Sequence, residues 1–267
     1  MDRSLCELPI GIFDSGVGGL SVLRTALRML PDEHFVYYGD IDNAPYGTKT
    51  EADVCRCVDS VVSYLLKTGI KALVIACNTA TCAAAAQLRE KYPKLIVIGM
   101  EPALKLAHDL CPKGQILVLA TPVSLSSAKY RRLYESYGER AVSMPCPGLM
   151  DFVERGEIDT PELREYLEEK FAPYLTDGHA PSAVVLGCTH YVFLKQTIRS
   201  LLPAQTLILD GNEGAVRQLM RRLKDEELQN EGIGMLTPPE QRFHLCLNTA
   251  DTAAARRQCL QLLQLPE

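Results

Sequence analysis

The chain has 267 residues, 47% of them hydrophobic, which is enough apolar material for one large core or two moderate ones. Its net charge of −5 is spread over interspersed acids and bases, so no polyanion-binding surface is expected and nucleic acid is excluded as a primary partner. No run of about 20 apolar residues is present to span a bilayer, and Met1-Asp2-Arg3-Ser4 lacks the apolar core of a secretory signal, so a cytoplasmic protein with no membrane partner is expected.

Short apolar runs alternate with helical patterns. Ile10 to Phe13 predicts a first strand, leading into Asp14-Ser15-Gly16-Val17-Gly18-Gly19-Leu20. The glycines of this loop allow close backbone approach to a ligand, and the helix that follows offers free N–H groups. An anion site and a tight turn capped by Asp14 or Ser15 are equally good readings of it. The spacing is not the dinucleotide fingerprint Gly-x-Gly-x-x-Gly. Leu20, Leu23, Leu27 and Leu30 predict a helix, stopped at Pro31-Asp32. Phe35 to Tyr38 predicts a strand, Pro45-Tyr46-Gly47-Thr48 a turn, and Ala52 to Lys67 a helix. Leu73 to Ala76 predicts a strand ending at Cys77, with a helix over Ala80 to Lys91.

Further on, Ile96 to Gly99 and Ile116 to Ala120 read as strands, and Pro102 to Asp109, Ser124 to Tyr137 and Pro161 to Tyr174 as helices. Ala183 to Gly187 predicts a strand ending at Cys188, with a helix over Tyr191 to Leu201. Leu207 to Leu209 predicts a last strand, followed by a helix over Gly214 to Lys224. Asp225 to Glu240 reads as a polar surface loop, and Ala250 to Leu263 as a final helix. Such alternation implies an α/β fold of mainly parallel sheets flanked by helices.

Val74-Ile75-Ala76-Cys77-Asn78-Thr79 and Val185-Leu186-Gly187-Cys188-Thr189-His190 read almost alike, each an apolar run ending at a cysteine before a helix. This repeat predicts two similar domains, residues 1–99 with 210–267 and residues 100–209, the tail returning to the first. A cleft between two such domains is the expected ligand site.

Ten cysteines in a long chain without an export signal are expected to be reduced. The spacings Cys55/Cys57 and Cys77/Cys82 do not match structural zinc clusters, so no metal is expected. Cys6, Cys55, Cys57, Cys82, Cys111, Cys146, Cys246 and Cys259 read as small buried hydrophobes. Cys77 and Cys188 differ, because each stands where a strand stops and a helix starts, a position that favours the thiolate. Two such thiols suit a proton abstraction with a choice of two faces. His190 and Asp14 can relay protons, although a histidine satisfied by a backbone carbonyl fits His190 as well. Asn78, Thr79 and Thr189 offer short polar groups suited to an amino acid's ammonium and carboxylate, whereas Glu154 reads as a solvated helix-end acid.

The ordered set Asp14-Ser15-Gly16-Val17-Gly18-Gly19-Leu20, Tyr38-Gly39-Asp40, Ala44-Pro45-Tyr46-Gly47, Ala76-Cys77-Asn78-Thr79-Ala80 and Leu186-Gly187-Cys188-Thr189-His190-Tyr191 resembles the glutamate racemases of the aspartate/glutamate racemase superfamily, from Ile10 to Leu263. The resemblance implies a cofactor-independent isomerase that interconverts L- and D-glutamate for peptidoglycan synthesis, and so for cell-wall biogenesis and cell shape. It also implies two α/β domains around a buried cleft and a homodimer. The cysteine matching Cys77 acts on D-glutamate and that matching Cys188 on L-glutamate. Asp14 matches the acid near the first thiol, and Glu154 and His190 match the acid and histidine near the second. Ser15, Tyr46, Gly47, Asn78, Thr79, Thr121 and Thr189 match substrate-binding positions, to which Asp14 and His190 also belong.

Some positions depart from the family pattern. Ala120 replaces a glycine, Ser124 a threonine whose hydroxyl it keeps as a substrate-binding group, Val192-Phe193 the usual Pro-Leu, and Gly211 a serine. These changes bear on pocket shape more than on reaction type. An aspartate or other amino-acid racemase of the same superfamily is the alternative, and a binding protein that has lost catalysis is a second.

Overall fold

The computed structural model describes residues 3–176, 180–230, 237–250 and 252–264. It divides into two compact units, residues 1–100 with 212–267 and residues 101–211.

The first unit opens with α1 (Arg3–Cys6), β1 (Ile10–Asp14), α2 (Leu20–Met29), β2 (Phe35–Gly39), α3 (Glu51–Thr68), β3 (Ala72–Ile75), α4 (Asn78–Lys91) and β4 (Ile96–Gly99). The second holds α5 (Leu104–Leu110), β5 (Ile116–Ala120), α6 (Pro122–Ser126), α7 (Ala128–Tyr137), β6 (Ala141–Pro145), α8 (Leu149–Glu154), α9 (Pro161–Phe171), β7 (Ala183–Leu186), α10 (Lys195–Ser200) and β8 (Leu207–Asp210). The chain then returns to the first unit with α11 (Asn212–Asp225), β9 (Phe243–Leu247) and α12 (Thr252–Gln264).

The first sheet has the order β4-β3-β1-β2-β9 and the second β6-β5-β7-β8, with every pairing parallel. Parallel strands covered on both faces need apolar side chains on both, and β1, β3, β5 and β7 are buried at every position. In the first unit Phe13, Leu73, Ile75 and Val97 pack under α3 and α4 with Val54, Val58, Val62, Ala84 and Leu88. Their alternates Ile12 and Val74 point to the opposite face, where α2 packs with α11 and α12. In the second unit Ile116, Val118, Ala183 and Val185 pack with Leu104, Ala107 and Tyr130 of α5 and α7. A buried ion pair, Lys71 Nζ to Glu33 Oε2 at 2.5 Å, fastens the amino-terminal ends of the first unit's strands, and Lys71 also donates to Cys6 O.

Several sequence expectations need correction. β6 and β9 lie where the sequence predicts no strand, and both are edge strands of mixed burial. An edge strand needs no continuous apolar run, so Ala-Val-Ser-Met-Pro and Phe-His-Leu-Cys-Leu carry little signal. The helix expected over 124–137 breaks at Ser127, whose extended backbone lets its hydroxyl cap Tyr130 N at 3.1 Å. The helix expected over 191–201 is a 3-10 turn, Thr189–Leu194, running into α10. The helix expected to reach Tyr174 ends at Phe171, with a 3-10 turn over Ala172–Tyr174. The loop expected on the surface from Asp225 starts pinned, because Asn230 is buried and its N–H donates to Glu33 Oε1 at 3.0 Å. Residues 231–236 of that loop lie outside the described residues. Cys6, Cys55, Cys57, Cys82 and Cys246 are only partly buried, because they sit on helix flanks and on the edge strand; Cys111, Cys146 and Cys259 are buried. Among the described residues no helix is long and apolar enough to cross a membrane.

Candidate active site

Each sheet reverses its strand order beside its first strand. β2 lies on one side of β1 and β3 on the other; β6 and β7 flank β5 in the same way. In open α/β sheets the crevice outside the carboxyl ends of the strands at such a reversal is the place where ligands bind. In the first unit the segments leaving those ends are the loop after Asp14 and the segment Ala76-Cys77; in the second they are Thr121 to Ser124 and Gly187-Cys188. Matching topology therefore puts each thiol just after the third strand of its sheet.

In the first unit Cys77 is the N-cap of α4 and its Sγ accepts from Ala80 N at 3.4 Å. The partial positive charge of a helix N-terminus favours a thiolate there. Ser15 Oγ donates to the same sulfur at 3.6 Å. Asp14 is fully buried, and its Oδ1 accepts from Gly16 N at 3.0 Å, which turns the loop. The capping role considered for Asp14 or Ser15 is not what the structure has, since the N-cap of α2 is Gly19. A Cβ on Gly19 would stand 2.7 Å from Asp14 Cβ and 2.9 Å from Ala76 Cβ, so the absence of a side chain lets the loop close against both strand ends. Tyr37 holds the loop from below by donating to Gly16 O at 2.7 Å.

Asn78 and Thr79 are buried in the first turn of α4. Asn78 Oδ1 has no hydrogen-bond partner among the described residues, leaving a buried acceptor open to a ligand's donor. Tyr46 and Gly47 stand in a 3-10 turn, Tyr46–Thr48, after a cis Ala44–Pro45 peptide. Tyr46 is buried in one apolar cluster with Phe13 and Cys77, and its hydroxyl donates to Asp40 Oδ2 at 2.5 Å. Burial and that bond push the Tyr46 phenol far above its ordinary value, so it stays protonated.

In the second unit the thiol has different company. Cys188 is partly buried and precedes the 3-10 turn with no side-chain cap. Its Sγ lies 3.6 Å from His190 Nδ1, and His190 Nε2 lies 2.6 Å from Glu154 Oε1. His190 is fully enclosed, and burial alone would favour its neutral form. Its contacts with Cys188 and Glu154 outweigh burial and hold its pKa well above 6.5. A protonated imidazole has two donors, and the two contacts use both. Glu154 reaches His190 as the last residue of the short helix α8, so the helix-end placement expected of it holds and the solvated surroundings do not.

Thr189 is buried beside Cys188. Thr121 caps α6, accepting from Ser124 N at 3.2 Å and donating to Ser124 Oγ at 2.9 Å, with both side chains buried. Tyr191 donates to Cys146 O at 3.1 Å. Burial pushes the Cys146 thiol up to about 12, so it stays protonated. The structure thus gathers Asp14, Ser15, Tyr46, Gly47, Cys77, Asn78 and Thr79 around one set of strand ends, and Thr121, Ser124, Glu154, Cys188, Thr189 and His190 in the other unit. Asp40, present in the sequence only as part of a motif, joins the first group through Tyr46. Among the described residues no three His, Cys, Asp or Glu side chains form a metal-binding group.

The model of the Asp/Glu/Hydantoin racemase family matches residues 10–219. The chain is similar to a glutamate racemase of Clostridium perfringens, 46% identical over 233 residues, 86% of this chain and 89% of that one. A glutamate racemase of Clostridium acetobutylicum is 49% identical over 226 residues, 84% of this chain and 87% of that one. Among solved structures, the Escherichia coli glutamate racemase in complex with L-glutamate and the activator UDP-MurNAc-Ala superposes with a TM-score of 0.81 at 27% identity, covering 96% of this chain and 94% of that one.

Proposed function

The chain belongs to the Asp/Glu/Hydantoin racemase family, and from that premise we propose that it is a glutamate racemase using Cys77 and Cys188 as paired acid and base. The observation that carries the reading is the matched placement of the two thiols, each after the third strand of a sheet whose first four strands share one order, with different hydrogen-bond partners. A thiolate takes the α-proton from one face of glutamate while the opposite thiol delivers a proton to the other. Cys188, beside a protonated His190 held by Glu154, is the base for L-glutamate. Cys77, with Ser15 and the α4 N-terminus around it and Asp14 in the adjoining loop, is the base for D-glutamate.

The α-proton of an amino acid is very weakly acidic, so charge developing on the α-carboxylate must be met by donors already in place. In this scheme the loop amides of Ser15, Asn78 and Thr189 are those donors, and the burial of all three residues supports the assignment. Every 1.4 kcal/mol of such stabilisation is worth roughly tenfold in rate. Tyr46, Gly47, Thr79, Thr121 and Ser124 complete the substrate contacts. The enzyme needs no cofactor in this scheme and serves peptidoglycan synthesis in the cytoplasm as a homodimer.

The test is racemisation of L-glutamate and L-aspartate, followed by chiral chromatography, for the native chain, Cys77→Ser and Cys188→Ser. Glutamate is expected to be the faster substrate, and each variant to lose at least about 100-fold, the scale of a general acid–base contribution. Full activity in either variant, or turnover of aspartate alone, is the result against the reading.

A further inference from the structure

β9 lies at the edge of the first sheet beside β2, with Leu247 opposite Gly39. The next residue, Asn248, meets the end of β2 at three points. Its N–H donates to Gly39 O at 3.0 Å and its carbonyl accepts from Asp42 N at 3.0 Å. Its side-chain Nδ2 donates to Asp40 Oδ1 at 2.7 Å. Asp40 is only 1% exposed, and the same Oδ1 accepts from Asn43 Nδ2 at 2.9 Å while Oδ2 takes the Tyr46 hydroxyl. The backbone N–H of Asp40 donates to Asp14 O at 3.0 Å, so the residue is also tied to the loop that carries Ser15.

A carboxylate has about four acceptor positions in one plane, and donors on one oxygen fix that plane and hence the direction in which the other oxygen accepts. Asn43 and Asn248 set the plane from one side; Tyr46 reads it from the other. The Tyr46 ring has little freedom of its own, being buried with its centroid 6.5 Å from that of Phe13. The hydroxyl–carboxylate bond therefore anchors the whole Tyr46–Thr48 turn.

We propose that Asn248 is a positioning residue for substrate binding, holding Asp40 in the orientation that anchors the Tyr46–Gly47 turn. The proposal rests on the reading that this turn contacts glutamate. It gives the edge strand β9 a role beyond covering the sheet, since β9 delivers an amide to the first half-site from near the end of the chain.

The titratable groups around Asp40 are Tyr46, Tyr38 and Asp42, with Asp14 across the backbone bond, Cys57 and Cys77 beyond Tyr46, and Cys246 of β9 beside Tyr38. Burial and the Asp40 charge hold both tyrosines above their ordinary range, so neither ionises in the range used for the test. An aspartate at position 248 would place a second carboxyl within hydrogen-bonding distance of Asp40. Two such groups share one proton at low pH and repel once both ionise.

The experiment measures KM and kcat for glutamate from pH 6 to 9, with melting temperature, for the full chain and for Asn248→Ala, Asn248→Asp, Tyr46→Phe and the Asn248→Ala/Tyr46→Phe pair. Asn248→Ala is expected to raise KM about tenfold at every pH, roughly the loss of one hydrogen bond to a charged group, with a smaller fall in kcat. Asn248→Asp should approach the native KM at pH 6 and match or exceed the alanine variant's KM at pH 9. In the Tyr46→Phe background the alanine change should add less than about twofold, because contacts in one network do not add. A purely structural role would lower the melting temperature without this pH signature. With an active native enzyme, an alanine variant of native KM, an aspartate variant whose KM tracks the native pH profile, or full additivity overturns the proposal alone. A native chain inactive on glutamate overturns the parent reading and this proposal with it.

Discussion

At the scale of single residues, the two thiols have different neighbours. Cys77 has a helix N-terminus and a serine hydroxyl, Cys188 an imidazole that a carboxylate contacts in turn. Glu154→Gln keeps shape and acceptor but removes the carboxylate's charge, so His190 is expected to fall back toward its ordinary value of 6.5. Turnover should drop about tenfold or more, and the loss of activity on the alkaline side should move to lower pH, as a pH–rate profile would show. The sign for stability follows from linkage. The folded pKa of His190 is raised, so the stability it contributes is complete below the unfolded value near 6.5 and disappears as pH climbs through the raised value. Urea unfolding should therefore separate native and Glu154→Gln proteins most at acidic pH, and a gap that widened with pH would contradict the assignment. Glu154 is also the residue that sequence chemistry alone read as a solvated acid. Nothing in Phe152-Val153-Glu154-Arg155 announces a contact with a histidine 36 positions away.

At the scale of elements, strands with unbroken apolar runs were legible, the edge strands β4 and β8 among them, and the edge strands β6 and β9, which lack such runs, were not. β1, β2, β3, β4, β5, β7 and β8 stand where apolar runs predict strands, whereas β6 and β9 have no such run. β9 is also the strand that brings Asn248 to Asp40. The strand–cysteine–helix repeat was legible as far as the strands and thiols. It was not legible after Cys188, where a 3-10 turn replaces the expected helix and swings His190 back toward the sulfur. Gly187 sets the approach to that turn. Its N–H donates to Leu119 O at 2.7 Å, and an added Cβ would stand 2.8 Å from the same oxygen and 3.0 Å from Ala120 Cβ. Backbone cannot yield as a side-chain tip can, so Gly187→Ala should destabilise by about 1–3 kcal/mol and lower turnover by displacing Cys188. Gly214→Ala, inside α11 with nothing within 4 Å of the new methyl, serves as the control and should be neutral or stabilising by up to about 1 kcal/mol. Equal unfolding midpoints for Gly187→Ala and the native protein would remove the glycine from this account.

At the scale of the whole molecule, two units whose first four strands share one order each carry one thiol at the same topological position, and their local surroundings differ. In the proposed scheme one sulfur must lack the proton that the other holds when glutamate binds, and the two sulfurs have different neighbours to exchange it with. The repeat in the sequence exposed the shared part; the asymmetry resides in Ser15, His190 and Glu154, which reach their sulfurs or one another across turns and short helices that local pattern does not encode. The most direct test of the two-thiol scheme is to incubate the enzyme with L-glutamate in heavy water and to analyse both enantiomers for α-deuterium during the first few per cent of conversion. The D-glutamate formed should carry solvent deuterium delivered by the opposite thiol, while the remaining L-glutamate keeps its α-protium. Deuterium entering L-glutamate as fast as D-glutamate, or appearing in neither, would contradict the account.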